Sequence, residues 1–573
     1  MTAALLHGRG ASPGVAVAPA FVMAPRPRPE ARSDAAPVDP AHEHERLDRA
    51  LAQAIGQLEA VADRLSDAVG AEEAAIFTAH AAFAADPELA GMAHGSIDAG
   101  ATAEDAVRDA FGAFRNLLSA SADEYLAARA ADLDDVAERV VGVLTGATRP
   151  VPTERCIVVA HDLAPSDTAE LPRDLVAGVV CEAGSPTSHA AILARSLGIP
   201  AVVGARDVIT RAPAGVVLAV DGRSGEVLVD PDEVDRDRYA KFAAAEAERR
   251  ERLEALRDLP GQTADGVHVE LAANVNDPGA LDRALGAGAQ GSGLVRTEFL
   301  FLDATDAPTV DDQVAYYRRV LDAFPGERVV FRTLDIGADK PVPFITRPPE
   351  ENPALGVRGL RLGLAEPRLL RDQLRALLRA ASPAGGPTAT GRLAIMFPMV
   401  ATTAEVDEAR AILDEVAGEE GVDVAGVEVG VMVEVPAAAL AADRLARRVD
   451  FLSIGTNDLL QYLFAADRLN PDVAGIPDVF DPDVLRLIGS VCRAAAAHGA
   501  WVGVCGEAAA EPRAAAAFVA LGVTELSMTP NAVPDVKDKL RRHTGDELRA
   551  AADAALAAPD GTAARAAFKE ALR

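Results

Sequence analysis

The sequence predicts a multidomain α/β protein: a small α/β domain with an all-helical domain inserted in it, then a linker helix and a C-terminal (β/α)8 TIM barrel. Three observations predict it. The chain has 573 residues, and at about 100–200 residues per domain that makes three to five domains. Its texture changes near residues 24, 146 and 234, from short strands to helix, back to strands, and into a charged helix. From Gly261 onward, strand-like and helix-like stretches alternate over about three hundred residues, the rhythm of such a barrel.

The elements follow in order. Residues 1–23 carry a glycine loop and a short strand (GRGASPGVAVAPAFVM), followed by the polar, proline-rich APRPRPEARSDAAPVDPAHE. Residues 24–145 form the helical domain. Alanine, leucine, glutamate and arginine dominate there, with apolar residues three and four apart as in EHERLDRALAQAIGQLEAVADRL, and breaks fall near Ala84–Glu88 and Gly95–Thr102. In residues 146–233, RCIVVA, VAGVVCE, AVVG, VVLAVDG and EVLVD read as short strands around one clear helix. The N-terminal strand completes this α/β domain if the helical domain is an insertion, which element order alone leaves open. Residues 234–260 form the linker helix. Residues 261–573 hold eight strand candidates: VELAANV, GSGLVRTEF, RVVFRTLDIG, LAIMFPMV, VGVMVEVP, FLSIGTND, WVGVCGEA and ELSMTP. A doubly wound sheet is the alternative arrangement for the same rhythm.

Composition narrows the functional class. A formal net charge of −31 excludes a nucleic-acid backbone as partner, since there is no basic surplus to displace counterions. Four cysteines without a CxxC pair signal neither a disulfide framework nor a zinc knuckle. MTAALLHGRG is no signal peptide, and no charge-free run of about 20 apolar residues stands out. The expectation is a cytoplasmic protein without membrane insertion.

Two groups of residues carry chemistry. GSPTSHAAILARSLG, Gly184–Gly198, is a loop entering a helix, with His189 in the first turn and Thr187 or Ser188 as its cap. A phosphate on that ring would meet free backbone N–H groups and the positive end of the helix dipole, and the same field disfavours an imidazolium. A phosphorus nucleophile and a capping or surface histidine both remain open. The second group lies where barrel active sites gather, at the strand ends: Asn274, Arg296 with Glu298, Arg332 with Asp335, Glu434, Asn457 with Asp458, and Cys505 with Glu507, followed by Arg468 in a loop. Arginines offer a planar fork for phosphate or carboxylate. Glu434 and Asp458 are hard oxygen donors suited to magnesium. Cys505 is either a buried structural thiol or a reactive one.

Taken with ASPG at Ala11–Gly14, TSHAAILARSLGIPAVVG at Thr187–Gly204, GLVRTEFLF at Gly293–Phe301, FRTLDIGADK at Phe331–Lys340, EENPALGVRG at Glu350–Gly359, FPM at Phe397–Met399, GVMVEVPAA at Gly430–Ala438, SIGTNDLLQY at Ser453–Tyr462 and GVCGE at Gly503–Glu507, the chain resembles, over essentially its full length, Enzyme I of the bacterial sugar phosphotransferase system, the phosphoenolpyruvate–protein phosphotransferases. The resemblance implies that His189 takes the phosphoryl group of phosphoenolpyruvate and passes it to a histidine-containing phosphocarrier protein. It implies that Arg296, Arg332, Asn457, Asp458 and Arg468, helped by Arg358, bind the substrate. Glu434 and Asp458 would hold Mg2+, and Cys505 would protonate the enolate as pyruvate forms. The helical domain would dock the carrier, the phosphohistidine domain would swivel, and the barrel would form a homodimer.

One departure stands out. Many relatives have a glycine and an arginine just before the TSH motif, where this chain has Ser185 and Pro186, which predicts an altered transfer rate or carrier preference. The pyruvate phosphate dikinase group shares the TSHAA region and the barrel, but needs a large ATP-binding domain where this chain has a helical segment without a glycine-rich nucleotide loop. The nitrogen-related regulatory cousin normally carries an added sensory domain, which is not expected here.

Overall fold

A computed structural model describes residues 4–23, 39–69, 71–119, 124–146, 150–172, 174–185, 188–302, 304, 306–337, 342–345, 347–348, 350–382, 389–468, 470 and 472–573. The chain divides into two compact units, Met1–Arg250 and Glu251–Arg573.

The first unit is built on eight strands: β1 (Ala4–His7), β2 (Arg9–Ser12), β3 (Val15–Val22), β4 (Cys156–Ala160), β5 (Val176–Cys181), β6 (Ala201–Val203), β7 (Val217–Asp221) and β8 (Glu226–Val229). Their order across the sheet is β1-β8-β7-β3-β4-β5-β6-β2. β3 pairs in parallel with β4, Ala20 facing Ile157, although more than a hundred residues separate them in sequence. Among the described residues between them are five helices: α1 (Pro40–Val69), α2 (Ala71–Ala84), α3 (Pro87–Asp98), α4 (Ala103–Ser119) and α5 (Glu124–Thr145). The helical segment is therefore an insertion between two neighbouring strands, the point that element order left open. Its breaks have local causes: Asp86 caps α3 through the backbone N–H groups of Glu88 and Leu89, with Pro87 at the first helical position.

Buried Ile157, Val159, Val180, Val202, Leu218, Val220 and Val227 fill one face of the sheet. Small β-branched residues suit a sheet packed on both faces, which explains a core with so few aromatics. The expectation of one helix between these strands needs correction. Besides α7 (His189–Ser196), the structure has α6 (Pro165–Glu170) and α8 (Val208–Arg211), too short to show a helical period in sequence. Helix α9 (Glu233–Leu256) follows, and its Tyr239 is buried against Ala219 and Leu228.

The second unit is a closed barrel of eight parallel strands: β9 (Glu270–Val275), β10 (Ser292–Val295), β11 (Arg328–Arg332), β12 (Arg392–Phe397), β13 (Glu428–Val433), β14 (Phe451–Ile454), β15 (Trp501–Val504) and β16 (Glu525–Met528). β16 pairs with β9 from Glu525↔Glu270 to Met528↔Ala273, closing the ring. Closure excludes the doubly wound alternative. Leu294, Val330, Ala394, Met396, Met432, Phe451 and Cys505 pack together as a buried cluster, so the barrel has a filled core. Among the described residues, no helix is long and apolar enough to cross a membrane.

Candidate active site

In the second unit the strand ends bring the expected residues into one charged network. Arg332 closes β11 and is buried, 7% exposed. It donates to Glu298 Oε1 at 2.9 Å and lies 3.0 Å from Asp335 Oδ2. Burial alone would push this guanidinium down; the carboxylates of Glu298, Asp335 and Glu434 outweigh it and hold it above its ordinary value. Arg296, just past β10, is pushed down, first by burial and then by the like charge of Arg332, and its Nε is buried without a partner. An anion bound between these two arginines would supply what Arg296 lacks.

Arg358 reaches the same network from the loop before the helix Leu360–Ala365. Its Nη2 donates to both oxygens of Asp335, at 3.2 and 3.0 Å, and lies 3.5 Å from Asp458 Oδ2. Arg468 is exposed, 4.0 Å from Asp458 Oδ1. The strand-end pattern offers Arg332 as an open fork, whereas here both it and Arg358 are already committed to carboxylates. Their charge and position remain available to a substrate, and Arg296 and Arg468 are the less encumbered pair.

Glu434 follows β13 and is 1% exposed. Its Oε1 accepts the Met399 N–H at 2.7 Å. Burial, then the like charges of Asp335 and Asp458, push its carboxyl above the usual range. A buried carboxylate crowded by two others is a place a divalent cation stabilises, and Glu434 with Asp458 fits one. Among the described residues, no group of three or more His, Cys, Asp or Glu stands at ligating positions. Two protein carboxylates suit a magnesium ion that keeps waters and substrate oxygens as its other ligands.

Asn457 and Asp458 open the helix Thr456–Phe464. Asn457 Nδ2 donates to Glu507 Oε1 at 3.0 Å, and the Glu507 N–H returns a bond to Asn457 Oδ1 at 2.9 Å. Gly506 makes this approach of β15 to the helix fit, because a Cβ there would sit 2.6 Å from Thr456 N. Between Gly506 and β15 lies Cys505, 3% exposed. Burial pushes its thiol up to about 12, with Glu525 and Glu434 adding to the effect. It is therefore an undissociated S–H at neutral pH, a proton donor rather than a thiolate.

Two supporting residues, Gln373 and Met399, are not evident among the strand-end candidates. Gln373, buried on the helix Pro367–Ala381, donates to Thr297 Oγ1 at 3.0 Å and accepts the Leu334 N–H at 2.8 Å. It thereby ties the loop after β10 to the loop after β11. A glutamine on the apolar face of LRDQLRALLRA was its signal. Met399, at φ 56°, turns its N–H onto Glu434, and nothing in FPM reveals that. Asn274 is among the strand-end residues expected to carry chemistry, and here that expectation is corrected: its Nδ2 donates to the Cys505 carbonyl at 3.2 Å and its Oδ1 accepts from Ser527 at 2.7 Å, so it positions β15 rather than facing substrate.

In the first unit, α7 begins at His189, and Ser188 is the cap, its Oγ accepting the Ala191 N–H at 3.3 Å. The other end of α7 is tied to β2 by Arg195, whose Nε and Nη2 donate to the Ala11 carbonyl at 3.0 and 2.6 Å. The backbone of His189 is thus fixed at a helix N-terminus. Its side chain, like Pro186 and Thr187, lies outside the described residues.

Comparison with known proteins agrees across both units. Three family descriptions match in sequence order: the N-terminal domain of PEP-utilising enzymes over residues 7–129, their mobile domain over 152–225, and their PEP-binding domain over 250–544. The chain is 41% identical over 564 residues to a phosphoenolpyruvate–protein phosphotransferase of Enterococcus faecalis, covering 96% of each chain. It is 43% identical over 552 residues to that of Geobacillus stearothermophilus, covering 95% of this chain and 94% of the other. With the Streptomyces coelicolor protein of the same name it shares 47% over 538 residues, 92% of this chain and 93% of the other.

Proposed function

Because this chain belongs to the phosphoenolpyruvate–protein phosphotransferase family, we propose the following division of labour among its own residues. The protein transfers the phosphoryl group of phosphoenolpyruvate to the phosphocarrier of the sugar phosphotransferase system and releases pyruvate. His189 is the relay. A neutral ring at the start of α7 attacks the phosphorus as the phosphorus–oxygen bond to the enolate breaks, and the phosphoryl oxygens then face the backbone N–H groups of the helix N-terminus. The cap at Ser188 supports this reading, since it leaves His189 as the first helical residue.

Arg296, Arg332, Arg358 and Arg468 neutralise and orient the triply charged substrate, with Asn457 and Asp458 bordering it. Positioning and charge neutralisation are most of what phosphoryl transfer requires. Glu434 and Asp458 would hold Mg2+, which when bound would supply positive charge to offset that of the substrate. Cys505 donates its S–H proton to the methylene carbon of the enolate, giving the methyl of pyruvate. The single observation that supports this most directly is the buried, undissociated thiol next to a gathered set of arginines. His189 and the barrel residues belong to separate units, so the reaction requires the histidine domain to move between the barrel and the carrier, with α9 as the lever. The helical domain docks the carrier, and the barrel carries the dimer interface.

The test is incubation with labelled phosphoenolpyruvate and magnesium, then with carrier. Acid-labile label should appear on the chain and pass to the carrier. Label that never reaches the carrier would sink the relay.

A further inference from the structure

On the helical segment, far in sequence from every residue of the candidate active site, two histidines face each other. His44 lies on α1 and His94 on α3, with their ring centroids 4.6 Å apart. His44 Nε2 bonds to Asp98 Oδ1 at 2.9 Å, and His94 Nε2 bonds to Asp48 Oδ1 at 3.0 Å. The Nδ1 atoms of the two rings are in direct contact. A carboxylate only accepts, so each Nε2 carries its hydrogen, and in a neutral ring that leaves a lone pair on Nδ1. Two lone pairs therefore point at each other, each ring locked in that tautomer by its own aspartate. Such a pair repels unless an electron-pair acceptor stands between.

We propose that His44 and His94 form a site for a borderline divalent transition cation of the zinc class, bound through their Nδ1 atoms and oriented by Asp98 and Asp48. The arrangement of carboxylate, imidazole and metal is the usual one for histidine ligands, whose second nitrogen donates to a carboxylate that fixes the tautomer and raises ligand basicity. Imidazole nitrogen suits zinc, copper or nickel and gives magnesium or calcium no advantage. At metal–nitrogen distances of about 2.0–2.1 Å, tetrahedral binding needs the two nitrogens about 3.3 Å apart, so the rings must part slightly. Both side chains are partly solvent-exposed, 27% and 31%, and have room to do so. Exposure also leaves the remaining positions to water, in keeping with the absence of a third protein ligand among the described residues. The bound ion would staple α1 to α3. It is distinct in chemistry from the two-carboxylate site of the barrel: hard oxygen donors there, imidazole nitrogen here.

The test uses the full chain, stripped of metal, with excess Mg2+ to occupy oxygen sites, titrated with Zn2+ by calorimetry and by thermal melting. All four cysteines are buried, which limits competition from thiolates. Wild type should take up one equivalent of Zn2+ that both His44→Gln and His94→Gln lose, and its melting temperature should rise with Zn2+ while theirs does not. Asp48→Asn and Asp98→Asn keep both rings and should weaken that equivalent about 10–100-fold. This second pair keeps the proposal open to refutation if the histidine variants fold poorly. Equal Zn2+ uptake by wild type and all four variants would overturn it. So would a wild type that melts differently with pH but not with Zn2+, which would mean that the rings clamp a proton instead.

Discussion

Replacing Cys505 with alanine should separate the two halves of the proposed reaction. The thiol sits among Leu294, Val330, Met396, Met432 and Phe451, 3% exposed, and burial pushes it up to about 12. At pH 8 its thiolate fraction is then about 10⁻⁴, against about 10⁻¹ for a thiol at the ordinary 9.0. A positioned acid contributes about 10²–10⁴-fold, so Cys505→Ala should slow steady-state pyruvate release by that factor, about 2.7–5.4 kcal/mol of barrier. Transfer of label from phosphorylated chain to carrier does not use the thiol and should keep its rate. The same burial predicts slow alkylation of the wild type. The roughly thousandfold deficit in thiolate is partly offset by higher intrinsic nucleophilicity, since a Brønsted slope of about 0.4–0.5 returns some 15–30-fold. Iodoacetamide should therefore label Cys505 on the order of ten- to a hundredfold more slowly than an ordinary thiol, before any slowing from limited access. The assays are coupled pyruvate detection and mass spectrometry of the alkylated peptide. Wild-type pyruvate formation by Cys505→Ala would refute the acid role; rapid alkylation at pH 8 would refute the account of its environment.

Three further outcomes follow from other parts of the molecule. Ser188→Ala removes the cap of α7 and should cost the first unit about 1 kcal/mol, seen as a lower unfolding midpoint in denaturant and slower phosphorylation of His189. Gly506→Ala puts a Cβ 2.6 Å from Thr456 N and should cost about 1–3 kcal/mol while raising the apparent KM for phosphoenolpyruvate; an unchanged melting temperature and KM would count against the close approach described. Glu525, fully buried at the start of β16, is held well above 4.5 by burial and by Glu270. The folded chain keeps that proton where the unfolded chain releases it, so this group's contribution is present below pH 4.5 and is lost as pH rises through its folded value. Glu525→Gln cannot ionise, so its stability relative to wild type should rise with pH above 4.5, measured by denaturant titration at several pH values; a difference independent of pH would contradict this.

Much of the architecture is legible in the chain because its signals are local. Most barrel strands are short apolar runs ended by a polar residue, so FLSIGTND and WVGVCGEA show both the strand and the place where its chemistry begins. The helix breaks at Asp86–Pro87 and before Ala103 are legible for the same reason: cap and proline chemistry is read from neighbours. What stayed hidden depends on partners distant in sequence. That β3 adjoins β4 across the helical insertion is a fact of pairing, not of pattern. That Arg332 and Arg358 are already bound by Glu298 and Asp335 makes them a braced charge, and no spacing rule reveals it. Gln373 and Met399 support the site through a side chain and a backbone N–H whose targets lie 76 and 35 residues away. Helices α6 and α8 are shorter than one period can announce.

The most direct measurement is the site of phosphorylation itself. Incubated with labelled phosphoenolpyruvate and magnesium, the wild type should gain one acid-labile phosphoryl group per chain, mapped to His189, and His189→Ala should gain none while still binding substrate. Equal labelling of the His189→Ala chain, or label mapped to any other residue, would contradict the account.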